Sequence, residues 1–196
     1  MKRFSVVPAF NEEKTIANVV KRLRNNVDTV VVVNDCSSDD TSLAASKEGA
    51  VILNNLNNEG YESSLIKGLR YAYTQGADSI ITFDADGQHP FNKVDTMFKL
   101  IESNTFDIVV GSRASLPRIS ERIFSTYTYI KYGIPDILCG LKCYSSRALK
   151  ATGFHCEWNS IGTFITLKAL RLGLPVTHLP IPTATREYGF SRFGIN

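Results

Sequence analysis

Asp84 and Asp86 stand one residue apart in ITFDADGQHP (81–90), directly after an apolar run. Residues i and i+2 of an extended segment point to one side, so the pair is expected to bring two carboxylates into one small volume. Without a counter-charge that arrangement is repulsive. A hard divalent cation removes the repulsion, and Mg²⁺ takes one or two carboxylates plus phosphate oxygens, with water completing its octahedron. Gln88 offers a further oxygen, so Asp84, Asp86 and Gln88 are the expected metal ligands. Taken alone, the same stretch also reads as a solvated Asp86-Gly87 turn.

Three other polar segments share this placement. PAFNEE (8–13), NDCSSDDT (34–41) and NNEG (57–60) each follow an apolar run, as DADGQH (84–89) does. In open α/β sheets, ligands lie beyond the carboxyl ends of the strands, where loops deliver polar groups. Four such loops are expected to meet at one crevice. Singly each has a local reading: Asn11 and Asp39 as helix caps, Asn58 to Gly60 as a turn.

The elements that must position these loops follow from periodicity. Residues 4–8 read as a buried strand, and Ile16, Val19, Val20 and Leu23 then repeat at helical spacing, with Asn11 offered as the N-cap and Glu12 and Glu13 in the first turn. Val27 to Val33 is rich in β-branched residues, as a strand covered on both faces should be, and Asp39 is placed to cap a second helix. A strand at 50–53, a helix carrying Leu65, Leu69 and Ala72, a strand at 79–83, a helix over 92–103 and a strand at 108–111 continue the alternation. Strands alternating with helices imply βαβ crossovers, so the fold class is α/β: a mostly parallel sheet sandwiched by helices. The second half is less regular, with an aromatic-rich helical pattern over 114–136, a strand at 140–144, a helix over 161–172 and a strand at 175–182. One domain over 1–196 is expected, residues 1–113 forming a nucleotide-binding half and 114–196 an acceptor-facing half.

The chain has 196 residues, 43% of them hydrophobic, enough for one sizeable core. A net charge of +3 with no basic stripe gives no footing for nucleic-acid binding. Cys36, Cys139, Cys143 and Cys156 lack zinc-site spacing and a CxxC pair, so reduced thiols are expected. No signal-peptide pattern opens the sequence and no run approaches the roughly 18 apolar residues that span a bilayer. A cytoplasmic location is expected. Residues 122–134 interleave aromatics with cations, as a surface resting on lipid headgroups does; aromatics at these intervals also serve as core cover.

VVPAFNEE, VVVNDCSSDDT, NNEGYESSLIKGL, FDADGQHP, VGSR, DILCGLKCYS and TREYGFSRFG, in this order, make almost the whole chain similar to family 2 glycosyltransferases of the GT-A fold, of the dolichyl- or polyprenyl-phosphate mannose synthase type. The resemblance implies a Rossmann-like GT-A domain that moves a hexose, mannose or glucose, from a nucleoside-diphosphate sugar to a polyprenyl or dolichyl phosphate, with inversion and with Mg²⁺ or Mn²⁺. It implicates Pro8, Ala9, Asn11, Glu12 and Asp35 in holding the nucleoside diphosphate, and Asp84, Asp86 and Gln88 in holding the metal. Arg113 and Arg186, with Ser191 beside the second, match positions that face the diphosphate or the acceptor phosphate. A lipid phosphate is already ionised near neutrality, its second pKa being about 6, whereas a sugar hydroxyl needs a base, for which Asp136 is placed by motif. A lipid acceptor implies peripheral contact with the cytoplasmic face of a membrane.

The chain departs from the family pattern in three places. Asn34-Asp35 stands where two acids are usual, Cys36 replaces a glycine, and no glutamate follows Trp158 in the next helix. Two rival readings use the same residues: a phosphatase of the haloacid-dehalogenase type, which also sets an acidic loop after a strand, and a nucleotide-sugar-binding protein that has lost its chemistry.

Overall fold

Val31, Val32 and Val33 are wholly inaccessible to solvent, and a strand in that state needs cover on both faces. The computed structural model describes residues 1–116, 118–154 and 160–182, and it supplies that cover. In chain order the elements are β1 (Arg3–Ala9), α1 (Ile16–Leu23), β2 (Thr29–Asn34), α2 (Thr41–Lys47), β3 (Val51–Asn54), α3 (Tyr61–Thr74), β4 (Ser79–Thr82), a 3-10 turn at Phe91–Lys93 leading into α4 (Val94–Glu102), β5 (Ile108–Arg113), α5 (Ile119–Tyr132), β6 (Lys142–Ser145), α6 (Ser146–Thr152), α7 (Ile161–Arg171) and β7 (Val176–Ile181). The seven strands form one sheet in the order β3-β2-β1-β4-β6-β5-β7. All neighbours are parallel except β6, which runs antiparallel to β4 and β5. The α/β, mostly parallel reading therefore holds.

Helix α3 shows how closely the layers approach. A side chain at Gly68 would overlap Val6 Cγ1 and come within 3.0 Å of Val33 Cγ2, so only glycine lets this helix lie directly on β1 and β2. On α1, Ile16, Val19, Val20 and Leu23 are the buried stripe, as their spacing requires.

Several boundaries moved, each for a local reason. Helix α1 starts after Thr15, so Asn11 is not its N-cap. Strand β2 begins at Thr29 because Asp28 turns aside, its Oδ2 accepting from the Arg3 amide at 2.7 Å. Helix α2 starts after Asp40, although Asp39 Oδ1 still accepts from the Thr41 amide at 3.0 Å. Helix α5 fills only 119–132 of the 114–136 pattern and stops at Gly133, which adopts the left-handed conformation. Helix α6 was not foreseen; Ser145 caps it by accepting from the Ala148 amide at 3.0 Å. Among the described residues no helix is long and apolar enough to cross a membrane. Cys36, Cys139 and Cys143 are free thiols; Cys156 lies outside the described residues.

Candidate active site

The carboxyl ends of β1, β2, β3 and β4 lie on one edge of the sheet because these strands are parallel. The strand order reverses between β1 and β4, the topological switch at which open sheets form a crevice. Antiparallel β6 enters at that edge, pairing Lys142 with Thr82, and β5 leaves there at Arg113. The four polar loops converge as expected, and the segment before β6 joins them.

The first two loops are tied to each other. Pro8 and Ala9 are buried at the end of β1, and the Ala9 carbonyl accepts from the Asp35 amide at 2.8 Å. Asn11, at φ 54°, donates its amide to Ser37 Oγ at 2.9 Å, and its Oδ1 accepts from the Ser38 amide at 2.9 Å. Glu12 donates its amide to Thr41 Oγ1 at 2.7 Å. Cys36 holds φ 60°, the left-handed region that glycine occupies freely and that costs a residue with a Cβ about 1–2 kcal/mol.

Asp35 is 3% exposed and fully engaged. It accepts from Asn55 Nδ2 at 2.8 Å, the Glu59 amide at 2.8 Å and the Gly60 amide at 2.9 Å. Burial pushes its pKa up, but these donors outweigh burial and hold it below the usual carboxylate value. Asp35 thus fixes the loop that launches α3, whose first residue is Tyr61.

Tyr61 donates its hydroxyl to Asp84 Oδ1 at 3.0 Å, and His89 Nε2 lies 2.9 Å from Asp84 Oδ2, an ion pair whenever the imidazole is protonated. Burial raises the Asp84 pKa, but His89, the Tyr61 hydroxyl and the more distant Lys142 ammonium outweigh burial and hold it below the usual carboxylate value, so the carboxylate is ionised at neutrality. The extended segment ends at Asp84: residues 85–86 turn and Gly87 takes φ 74°. The simple same-side rule therefore stops short of Asp86, which is 8% exposed and accepts from the Gln88 amide through Oδ1 at 3.0 Å.

Whether these residues suit a metal can be judged from their setting. Among the described residues no three His, Cys, Asp or Glu side chains form a protein-only cage. Mg²⁺ is ordinarily held by one or two carboxylates with substrate phosphates and water. Space is kept open in front of Asp84, because a Cβ at Gly140 would stand 3.2 Å from Oδ2 and 3.3 Å from Oδ1. An ionised carboxylate beside that clearance, with Asp86 two residues on, fits a hard divalent cation.

Arg113 and Asp136 form one unit. Asp136 is 1% exposed; its Oδ2 accepts from Arg113 Nε at 2.7 Å and from the Arg113 amide at 3.1 Å, and its Oδ1 from Nη2 at 3.1 Å. The bidentate fork raises the Arg113 pKa, burial opposing it. Glu121 on α5 stands 3.8 Å from the same guanidinium. Arg186 and Ser191 lie outside the described residues, as does Trp158; the helix after it, α7, is described and carries no glutamate.

Sequence reasoning missed Tyr61, His89, Lys142 and Tyr144. His89 lay inside the motif without a role. Lys142 and Tyr144 alternate along β6 and so face one side, a signal visible in LKCYS.

A sequence profile described as "Glycosyl transferase family 2" matches residues 5–169. The chain belongs to that family. The match spans β1 to α7, the sheet edge described above included, and it replaces the phosphatase reading with a glycosyltransferase. An uncharacterized protein of Methanocaldococcus jannaschii is 34% identical over 96% of this chain and 84% of its own length. The UDP-N-acetylglucosamine–dolichyl-phosphate N-acetylglucosaminyltransferase of Methanococcus voltae is 31% identical over 96% of this chain and 88% of its own. The undecaprenyl-phosphate mannosyltransferase of Micrococcus luteus is 27% identical, with coverage of 98% and 87%. Among solved structures, glucosyl-3-phosphoglycerate synthase from Mycobacterium tuberculosis, in complex with Mn²⁺, UDP and phosphoglyceric acid, superposes with a TM-score of 0.78 at 18% identity, over 96% of this chain and 71% of that one. That likeness shows the GT-A fold of this family 2 glycosyltransferase.

Proposed function

We propose that this protein transfers a hexose or N-acetylhexosamine from its nucleoside diphosphate to a polyprenyl or dolichyl phosphate, with inversion and with a divalent metal. The relatives named for dolichyl- and undecaprenyl-phosphate transfer support the acceptor class. The observation that carries the reading is the Arg113–Asp136 fork. A general base needs a lone pair facing the proton that it removes. Asp136 is buried, and both its oxygens accept from Arg113, which turns the carboxylate toward the guanidinium. A sugar hydroxyl would need that base; an ionised phosphate attacks the anomeric carbon without one.

In this reading the loops at 8–12 and 34–41 bound the nucleoside, with Pro8, Ala9, Asn11, Glu12 and Asp35 shaping that end. Bound at Asp84 and Asp86, with Gln88 beside them, Mg²⁺ or Mn²⁺ would neutralise the charge that develops on the departing diphosphate. Arg113, its side chain 27% exposed, keeps a full positive charge at the crevice edge while Asp136 holds its plane. On the motif alone, Arg186 and Ser191 are assigned to the acceptor phosphate.

Helix α5 supports a membrane-borne acceptor. Ile119, Ile123, Tyr127 and Ile130 fall on one face and are 74%, 68%, 50% and 80% exposed, and Thr128 is the helix's one buried residue. Arg122 and Lys131 are exposed on the same helix. An apolar stripe beside cations suits the headgroup region of an anionic bilayer.

The test is transfer of label from UDP-N-acetylglucosamine or GDP-mannose, with Mg²⁺, to polyprenyl phosphate in vesicles or to a free sugar. Label in the organic phase is the expected result. Label only on the sugar hydroxyl would overturn the acceptor assignment.

A further inference from the structure

Tyr61 and Gly140, which adjoin Asp84, border a cavity of about 50 Å³ that is also lined by Glu62, Lys142, Tyr144 and Gly162. Two side chains on its wall have unused hydrogen-bonding capacity. Lys142 is 3% exposed and donates to the Cys139 carbonyl, one bond for an ammonium that carries three donors. Tyr144 is wholly inaccessible, and among the described residues its hydroxyl makes no hydrogen bond of good geometry, with the Thr82 side chain as a polar neighbour. Burying such groups unpaired is costly, so an unpartnered buried hydroxyl calls for an explanation. Both atoms meet at one spot: a Cβ on Gly162 would stand 3.3 Å from Lys142 Nζ and 3.3 Å from Tyr144 Oη.

The charges around the cavity decide what enters it. Burial depresses the Lys142 pKa, and Cys139, Asp136, Glu62 and Asp84 act in the opposite sense, three of them carboxylates. A phosphate or carboxylate placed there would face those acids, whereas a neutral oxygen acceptor would not. The volume matches one or two small groups, since water occupies about 30 Å³ in the liquid, and excludes a whole pyranose ring.

Resting on the glycosyltransferase reading above, we infer that this cavity receives one neutral oxygen substituent of the donor sugar, a hydroxyl or an amide carbonyl, hydrogen-bonded by Lys142 Nζ and Tyr144 Oη, and that Gly162 sets its size limit. Lys142, Tyr144 and Gly162 are then specificity-determining residues for the sugar, placed next to the carboxylate at which the diphosphate would depart.

Calorimetric titration in Mg²⁺ with UDP, UDP-glucose, UDP-N-acetylglucosamine, GDP and GDP-mannose tests this on the intact protein and on the Tyr144→Phe and Gly162→Ala variants. Tyr144→Phe removes only an unpartnered buried hydroxyl, so its thermal midpoint should match or exceed the parent's. Its affinity for the preferred nucleotide sugar should fall about five- to tenfold, the worth of one hydrogen bond, while its affinity for the matching free diphosphate stays within about twofold. Gly162→Ala should show the same split more strongly. If the variants bind sugar nucleotide as the parent does, or lose diphosphate and sugar nucleotide equally, the cavity holds only structural water and the inference falls while the enzymatic reading stands. If the parent binds neither diphosphate nor sugar nucleotide, both fall.

Discussion

Asp136→Asn separates a brace from a base. The substitution keeps the shape of the side chain but removes the charge from a fork that Arg113 closes at 2.7 and 3.1 Å. Removing one member of a buried ion pair costs about 3–5 kcal/mol. Because the Arg113 side chain is 27% exposed, water recovers part of that, and about 2–3 kcal/mol is expected. For a domain of this length each 1 kcal/mol lowers the thermal midpoint by about 2–4 °C, so the variant should melt about 4–12 °C lower. Arg113→Lys should melt lower as well, since an ammonium cannot form the fork. A general base contributes about 10²–10⁴-fold to rate. Transfer to a lipid phosphate, assayed well below the midpoint, should therefore fall by less than about a hundredfold. A midpoint within about 1 °C of the parent, together with a kcat loss above about a thousandfold, would refute the brace and restore Asp136 as the base.

Asp35→Asn should cost about 1–3 kcal/mol at pH 7, because its amide nitrogen would face either the Gly60 amide or the pair of donors from Asn55 and Glu59. Since the folded pKa of Asp35 lies below the ordinary 3.8, its stabilisation is complete above that value and is lost as pH falls through the depressed one; urea melts should show the gap between parent and variant closing in acid. Ser145→Ala removes the cap of α6 and the 2.6 Å bond to Asp107 Oδ1, and should shift the urea midpoint by about 1–2 kcal/mol of stability with an unchanged slope. Ile123→Glu with Ile130→Glu should leave the thermal midpoint within about 2 °C, as exposed sites do, yet abolish co-sedimentation with anionic vesicles; unchanged sedimentation would remove α5 from the membrane.

The alternating elements were legible because the apolar stripes of α1 and α3 and the β-branched core of β2 each have one period that suits one structure. The convergence of four loops followed from parallel strands. Other features depend on contacts distant in sequence. β6 is inserted antiparallel between β4 and β5, and no local pattern in Lys142–Ser145 declares its direction. Asp35 reads locally as a polar turn residue, and its role as a brace comes from donors 20 to 25 positions away. Likewise the Asp136 fork closes across 23 residues. On α5 the aromatic pattern divides: Phe124 and Tyr132 pack against the core, as core cover does, whereas Ile123, Tyr127 and Ile130 are exposed, because spacing fixes which residues share a face but not what that face meets.

In the proposed reaction Asp84 and Asp86 hold a divalent ion against a sugar diphosphate. Diffraction at the manganese edge from crystals grown with UDP or GDP and Mn²⁺ tests it most directly. An anomalous peak between the diphosphate and the Asp84 and Asp86 carboxylates, lost in Asp84→Asn/Asp86→Asn, is the predicted result. Nucleotide seated in the crevice with no manganese at these two side chains would contradict it.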